Sequence, residues 1–481
     1  MLSARYRLID KFVRLEHSGY LLLINSFYPR NRYLLPIFLK ELLDYFALPR
    51  GAEETIAFVR ERYSSTHPEW EQIIAKTIPD LVRLKLLVPL AFNEWRRLDD
   101  LRKYKERNAR ISTLYIVPTL GCNLACKYCF ILQGRTVDVK RKTVEWKTVT
   151  KAVEHFFRQY TTGRKAHGQP LIIFYGGEPL VERELVGRIA KYIRARGRRY
   201  GIPDLELVLI TNGTLLDQKA VEMVARSGIK VAVSFDGLPE HTRELRQDCT
   251  GSTEGVSARV LRGIRLLEEA NVPHGLSLTL WRHNQDYKPI LKWIAENLKT
   301  RELGINLYHP FPSDAGQTEV QSMYTRRYLR RLIRDTAKMG FRFMQLEADK
   351  SLFDRCLPIL EACPVSRGQM VVHPDGYIGN CHSTLGSKTN FILWESVPRD
   401  LNSHEFWRRE RKNGPLYRRD CYLKCDYFTQ CGGGCPYDAE LLYGSRFAIN
   451  PTYCNLTKAS MQFFAEQLID RHLAGGGSTS C

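Results

Sequence analysis

The sequence predicts an α/β protein: a partial (β/α)6 barrel in the middle, a winged-helix-like unit before it and a cysteine-rich domain after it. Three observations carry this reading. Six strand-like runs alternate with helical stretches between residues 111 and 308, and strands separated by helices of such length imply βαβ units and a parallel sheet. The first hundred or so residues hold helical patterns with only short apolar runs between them. Residues 345–455 are rich in Cys, Gly, Pro and aromatics and poor in periodic segments. Something besides an apolar core must hold that region, and bound metal would serve. The expected domains are 1–105, 106–340 and 341–460, followed by a helix and flexible tail over 461–481.

Composition bounds the function. An apolar share of 44% and a charged share of 26% are globular and exclude disorder or coiled coil as the main architecture. The formal charge of +20, from 72 Lys+Arg against 52 Asp+Glu, favours an acidic partner. The basic clusters Arg194–Arg199 and Tyr328–Arg331 read as solvated helix faces, and no platform interleaves aromatic with basic residues, so nucleic acid is not expected. Met1–Glu16 lacks an uninterrupted apolar region, and Tyr20–Ile24 is far below the ~18 residues that span a bilayer. A cytoplasmic protein without a membrane partner is expected. Thirteen cysteines in a reducing compartment point to metal or cluster ligation rather than a disulfide framework.

In order along the chain, the apolar stretch Gly19–Ser26 precedes helical patterns at Leu34–Phe46, Glu53–Tyr63 and Glu69–Leu84, and Leu86–Leu90 reads as a closing strand. The charged run Arg96–Arg110 reads as a linker. Strands are expected at Thr113–Pro118, Leu171–Tyr175, Leu205–Thr211, Lys230–Phe235, Gly275–Leu280 and Gly304–Tyr308. Helices are expected at Val149–Tyr160, Leu180–Arg194, Lys219–Ser227 and Val256–Ala270, with a basic helix near Met323–Lys338. In parallel α/β folds the site lies at the carboxyl ends of the strands.

Cys122, Cys126 and Cys129 follow directly on the first of these strands. Gaps of three and two residues let three thiolates wrap one corner of a cube. A [4Fe–4S] cluster normally takes four cysteines, so three leave one iron open. The competing reading, a zinc knuckle, wants four ligands, and this loop offers three. The loop resembles that of the radical S-adenosylmethionine (SAM) superfamily, with Tyr128 as the aromatic before the last cysteine and Phe130 beside it. The resemblance implies that SAM chelates the open iron. One electron then cleaves it to methionine and a 5′-deoxyadenosyl radical that abstracts hydrogen from an unactivated carbon. Gly176-Gly177-Glu178-Pro179 resembles the family's cofactor-binding segment, with Glu178 accepting from the ammonium. Asn212 ends the third strand, Ser234 and Asp236 resemble ribose and carboxylate contacts, and Arg246 corresponds to the arginine that follows them.

The second cysteine set resembles the SPASM extension of radical enzymes that modify peptides and proteins. By the family's interleaving, Cys356, Cys363, Cys381 and Cys435 hold one auxiliary [4Fe–4S] cluster, and Cys421, Cys425, Cys431 and Cys454 hold another, giving three clusters in all. The gap of three residues between Cys421 and Cys425, where the family has two, departs from the pattern. Two residues are candidates for catalysis: Cys249, as a hydrogen-atom donor in the loop after the fourth strand, and His382, as a proton acceptor. His382 stands where sulfatase-maturing relatives carry Asp, which argues against formylglycine formation.

The resemblance implies a maturase of a ribosomally made precursor peptide, forming a side-chain crosslink, either thioether or carbon–carbon. Formylglycine formation on a protein, or peptide epimerisation, is the alternative. The N-terminal unit would take the leader as an added strand, along Tyr20–Ile24 or Leu86–Leu90. Electrons would come from a flavodoxin- or ferredoxin-type donor.

Overall fold

In the computed structural model, residues 5–64, 68–107, 110–131, 142–162, 169–307, 322–360, 363 and 368–475 are described. Most of the expected tail, 476–481, lies outside them, as does Tyr308 at the end of the sixth expected strand. Among the described residues no helix is long and apolar enough to cross a membrane.

The centre is a sheet of parallel strands in sequence order: β6 (Thr113–Ile116), β7 (Leu171–Phe174), β8 (Glu206–Thr211), β9 (Ile229–Phe235), β10 (His274–Leu280), β11 (Glu302–Leu307) and the short β12 (Arg342–Phe343). Alternation along each strand sends Leu207 and Leu209, Val231 and Val233, and Leu276 and Leu278 outward under the helices. Tyr115, Ile173, Val208 and Ile210 point inward. The sheet does not stop at β6. Strand β13 (Gln369–Val372) adds to it in parallel, and β14 (Tyr377–Gly379) and β15 (Phe391–Leu393) continue it antiparallel. The cysteine-rich region thereby shares its backbone ladder with the barrel.

That region holds more regular structure than its composition suggests: a helix at Met344–Asp354 and short helices at Glu405–Arg411, Arg419–Lys424 and Pro436–Tyr443. The C-terminal helix runs from Pro451 to Leu473. Its Met461, Phe464, Ala465 and Ile469 join the barrel's core, as do Val13, Leu15, Leu22 and Ile24 from the N-terminal unit.

The N-terminal unit contains a two-stranded pair, β1 (Tyr6–Leu8) with β5 (Leu87–Pro89), and an antiparallel sheet ordered β2 (Phe12–His17), β3 (Tyr20–Asn25), β4 (Arg32–Pro36). Three expectations change here. The helix expected from Leu34 begins as strand β4, because its apolar residues complete a half-buried sheet before the chain turns helical at Ile37. Tyr20–Ile24 lies in the central strand, with both sides already paired, so it cannot accept an added strand. The expected linker is a helix, Arg96–Arg107, whose Leu98 and Leu101 are buried with Ile9, Val88, Leu416 and Phe428. Their helical spacing supplies the apolar stripe that its many charges mask.

The basic clusters are also more than solvated faces. Arg194 donates to the carbonyls of Leu205 and Gly228. Arg330 and Arg334 each approach Glu466 of the C-terminal helix to 2.6 Å, and that carboxylate is nearly buried. Because Leu101 sits in a core shared by both ends of the chain, Leu101→Ala should cost about 2–5 kcal/mol, read as a lower midpoint in urea denaturation.

Candidate radical SAM site and its two cysteine neighbours

The loop after β6 is fixed before any cofactor is considered. The Gly177 amide donates to the Thr119 carbonyl (3.1 Å) and the Glu178 amide to the Gly121 carbonyl (2.9 Å). A Cβ on Gly177 would stand 2.3 Å from the Gly121 oxygen and 2.4 Å from the Leu120 oxygen, and one on Gly176, at φ +133°, 2.6 Å from the Thr119 oxygen. Two glycines are therefore required for the β6 and β7 loops to touch. From the other side, Ala125 and Lys127 donate backbone bonds to Gln247 (2.7 Å) and Leu245 (3.0 Å), and Leu124 forms a bridge with Asp248.

Within this brace Cys122, Cys126 and Cys129 act electrostatically on one another. Burial pushes the Cys122 thiol up to about 12, reinforced by Glu178 and Cys129. Burial raises Cys126 further, against the pull of Arg246. Asn212 Nδ2 donates to Asn123 Oδ1 (2.9 Å) and lies 3.8 Å from Cys122 Sγ, and Asn123 in turn donates to Thr214 Oγ1 (2.8 Å). Cys249 is exposed, and its Sγ donates to the Cys122 carbonyl (3.3 Å) rather than joining the thiols.

Glu178 is wholly buried. Its Oε1 accepts from the Leu180 amide (3.0 Å) and the Thr211 hydroxyl (2.8 Å), and its Oε2 from the Asn212 amide (2.7 Å). Burial raises its proton affinity and these three bonds oppose that. The carboxylate thereby ties β7 to β8. Asp236 is likewise buried: it pairs with Arg246 through two contacts, one of 3.1 Å, and accepts from the Tyr128 hydroxyl (2.8 Å). Burial opposes the Arg246 charge, but Asp236, Tyr128 and Cys126 outweigh it. Ser234 stays half-buried on the inner face of β9, and Pro179 opens the turn after Glu178. Asn123 and Thr214 carry no sequence signal of their own, whereas Thr211 belongs to the strand-end segment Thr211-Asn212-Gly213.

An aromatic wall leaves this loop. Phe130 stacks on Tyr175 (6.4 Å), Tyr175 meets Tyr115 edge-on (5.9 Å), and Tyr115 stacks on His382 (4.5 Å). His382 Nδ1 lies 3.3 Å from Gln369 Nε2. The wall thus ends one residue beyond Cys381.

The remaining cysteines fall into two groups. Cys435 is raised by burial, then by Asp438, Cys363 and Cys381, and burial pushes Cys381 up to about 11. Burial and then Cys431 push Cys421 up to about 12, with Cys454 and Cys425 adding. The Cys425 amide donates to the Cys421 carbonyl (2.9 Å), so these two lie one helical turn apart. The unusual three-residue gap is thereby absorbed by the helix Arg419–Lys424. Arg418 is buried beside this group and donates to the Gly433 carbonyl (3.0 Å); burial lowers it while Cys421, Cys431 and Cys454 oppose. Cys356 is buried. Among the described residues no three His, Cys, Asp or Glu converge tightly enough to hold a metal ion. A cubane spreads its thiolates over four irons and does not need that convergence.

Residues 116–294 match the family model described as the radical SAM superfamily. This segment is a radical SAM domain. The chain is 23% identical to the radical SAM cyclopropyl synthase TigE of Paramaledivibacter caminithermalis, over 79% of this chain and 80% of that protein. It is 31% identical to the AdoMet-dependent heme synthase of Methanosarcina barkeri over 40% of this chain and 48% of that protein. It is 27% identical to the PqqA peptide cyclase of Granulibacter bethesdensis over 36% and 40%. The solved structure of anSMEcpe with bound AdoMet shares the fold, with a TM-score of 0.61 at 20% identity over 75% of this chain and 95% of that one.

A radical SAM domain takes a [4Fe–4S] cluster and SAM, and the residues present fit both: three mutually sensing thiols in a braced loop, beside a backbone cradle that a Cβ would fill. When bound, the pair supplies reductive cleavage of the sulfonium and a radical able to abstract hydrogen. The chain's part is to hold Cys122, Cys126 and Cys129 in place and wall the space with aromatics. Gly177→Ala should displace the Leu120–Gly121 carbonyls and lower 5′-deoxyadenosine formation by at least about tenfold, with a matching fall in iron bound.

Proposed function

We propose that this radical SAM enzyme matures a ribosomally made peptide, forming a side-chain crosslink, with carbon–carbon favoured over thioether. The observation that carries the reading is an N-terminal sheet, built into the same core as the barrel, with one edge covered by a helix and the other without a second strand partner among the described residues. The β2 edge is covered by the C-terminal helix: Gln462 donates to the Glu16 carbonyl (3.0 Å) and His17 meets Asp470 (2.8 Å). Among the described residues β4 pairs only with β3. The Asn25 amide donates to the Asn31 carbonyl. Alternation in an antiparallel ladder then turns the amide of Leu34 away from β3, while Arg32 is buried and donates to the Phe353 carbonyl, and Pro36 sits where an edge strand tolerates it. An extended leader would add there, and the net charge of +20 suits an acidic one. Leu86–Leu90, the other expected edge, contributes β5 to the pair with β1.

The two cysteine groups support two auxiliary clusters, Cys363, Cys381 and Cys435 with Cys356 in one and Cys421, Cys425, Cys431 and Cys454 in the other. Crosslinking removes two hydrogens and must return electrons, which such clusters can accept on the way to a flavodoxin- or ferredoxin-type carrier. The relative named as a cyclopropyl synthase, matched over 79% of this chain, favours carbon–carbon chemistry, and the one named as a peptide cyclase favours a peptide. His382, at the end of the aromatic wall, is the proposed proton acceptor. Cys249, exposed beside the cluster loop, is the proposed hydrogen donor should the product be an epimer instead.

Anaerobic reconstitution with SAM and dithionite should yield 5′-deoxyadenosine, Cys126→Ala should abolish it, and iron should approach about twelve per chain rather than about four. Product persisting in Cys126→Ala would remove the enzymatic reading. Leu34→Pro removes an outward amide at the β4 edge. It should weaken binding of a precursor encoded beside this gene by about tenfold or more while leaving cofactor cleavage without peptide unchanged; unaltered affinity would defeat the leader-binding role.

A further inference from the structure

Arg418 stands immediately before the helix Arg419–Lys424, and its carbonyl accepts from the Cys421 amide (2.9 Å). The residue is only 8% exposed. Its guanidinium donates to the Gly433 carbonyl (3.0 Å), the Asn413 carboxamide oxygen (2.6 Å) and the Arg446 carbonyl (3.4 Å). The Gly433 amide in turn donates to Cys431 Sγ (3.4 Å), so one residue links the guanidinium to a thiol of the second group. All three acceptors are neutral, and Arg418 Nε, also buried, has no partner.

A guanidinium stays charged inside a protein, and burying a charge without a counter-charge is costly. Arg246 and Arg446, buried beside cysteines too, are matched by Asp236 (3.1 Å) and Glu410 (2.6 Å). For Arg418 the sulfurs of Cys421, Cys431 and Cys454 favour the charge ahead of Glu410, which is already taken by Arg446. Thiols are neutral, but four thiolates around a cluster carry the missing negative charge. The first group has the opposite surroundings. Cys381 and Cys435 lie within electrostatic reach of Glu410 and Asp438, and both carboxylates are buried.

We propose that Arg418 is the counter-charge of a cluster seated among Cys421, Cys425, Cys431 and Cys454, and that it makes this cluster the higher in reduction potential of the two auxiliary ones. The proposal rests on the reading that these cysteines hold two auxiliary clusters. Net charge and hydrogen bonds to sulfur help set a cluster's potential. A buried cation favours the reduced form, and a buried carboxylate favours the oxidised one. One electron passed from the first group to the second, oxidising the one and reducing the other, then moves downhill.

The test uses the full chain, reconstituted with iron and sulfide, and a redox titration followed by electron paramagnetic resonance. The paired change Cys421→Ala and Cys425→Ala identifies the second cluster's signal by its loss. That signal is expected at the higher auxiliary potential. Arg418→Met should lower it by the equivalent of a tenfold loss in electron affinity, about 59 mV for one electron. Arg418→Lys, which keeps the charge, should restore most of the shift. Arg419→Met, at the exposed neighbour, should leave the potential unchanged, because water and salt screen that charge. Should Arg418→Met lose about four irons instead, their retention in Arg418→Lys supports the counter-charge, and their loss in both variants overturns it. The proposal is also overturned if the parent's second cluster has the lower potential, if Arg418→Met leaves it unmoved, or if Arg419→Met shifts it equally. A parent with about four irons per chain would sink the auxiliary-cluster reading itself, whereas about twelve irons with an unmoved potential would sink the role of Arg418 alone.

Discussion

The contact between the loops that follow β6 and β7 organises the site. With no side chain on Gly176 or Gly177, the two backbones approach until amide meets carbonyl, and Glu178 can sink to full burial beneath them. A buried carboxylate needs partners, and its partners are the Leu180 and Asn212 amides and the Thr211 hydroxyl. One acidic side chain thus joins the ends of β7 and β8. Asp236 does the same with Arg246 and Tyr128, linking β9 to the cysteine loop. The thiols of Cys122, Cys126 and Cys129 are presented by a frame of buried charges and close backbone contacts rather than by a flexible loop.

The rest of the molecule is joined to that frame by continuity of packing. The barrel sheet extends through β13 into the cysteine-rich region, and the aromatic series Phe130, Tyr175, Tyr115, His382 runs the same way inside it. The N-terminal sheet shares its core with the barrel and the C-terminal helix. A leader held on β4 would therefore be fixed relative to the cysteine loop, which is the constraint a core residue needs to reach a single reactive position.

The barrel is legible in the sequence because each of its strands carries its own apolar run and each helix its own period. Segments whose structure is set by distant partners are not. Strand β4 and the helix Arg96–Arg107 lack strong local signals and form because Leu35, Leu98 and Leu101 find cores made elsewhere. The motif marks Glu178 and Asp236 at strand ends, and the fold supplies the amides, hydroxyls and guanidinium that their buried carboxylates accept from.

What the sequence settled by itself is the chemistry that depends on local spacing: three cysteines in one loop, the Gly-Gly turn, the order of the strand-end motifs, and the α/β alternation that places them. Only the tertiary structure decided which thiols gather into which group and which partners the buried carboxylates of Glu178 and Asp236 find. Those outcomes depend on contacts between residues far apart in the chain. Such contacts form only when the whole fold has closed, so no local pattern encodes them.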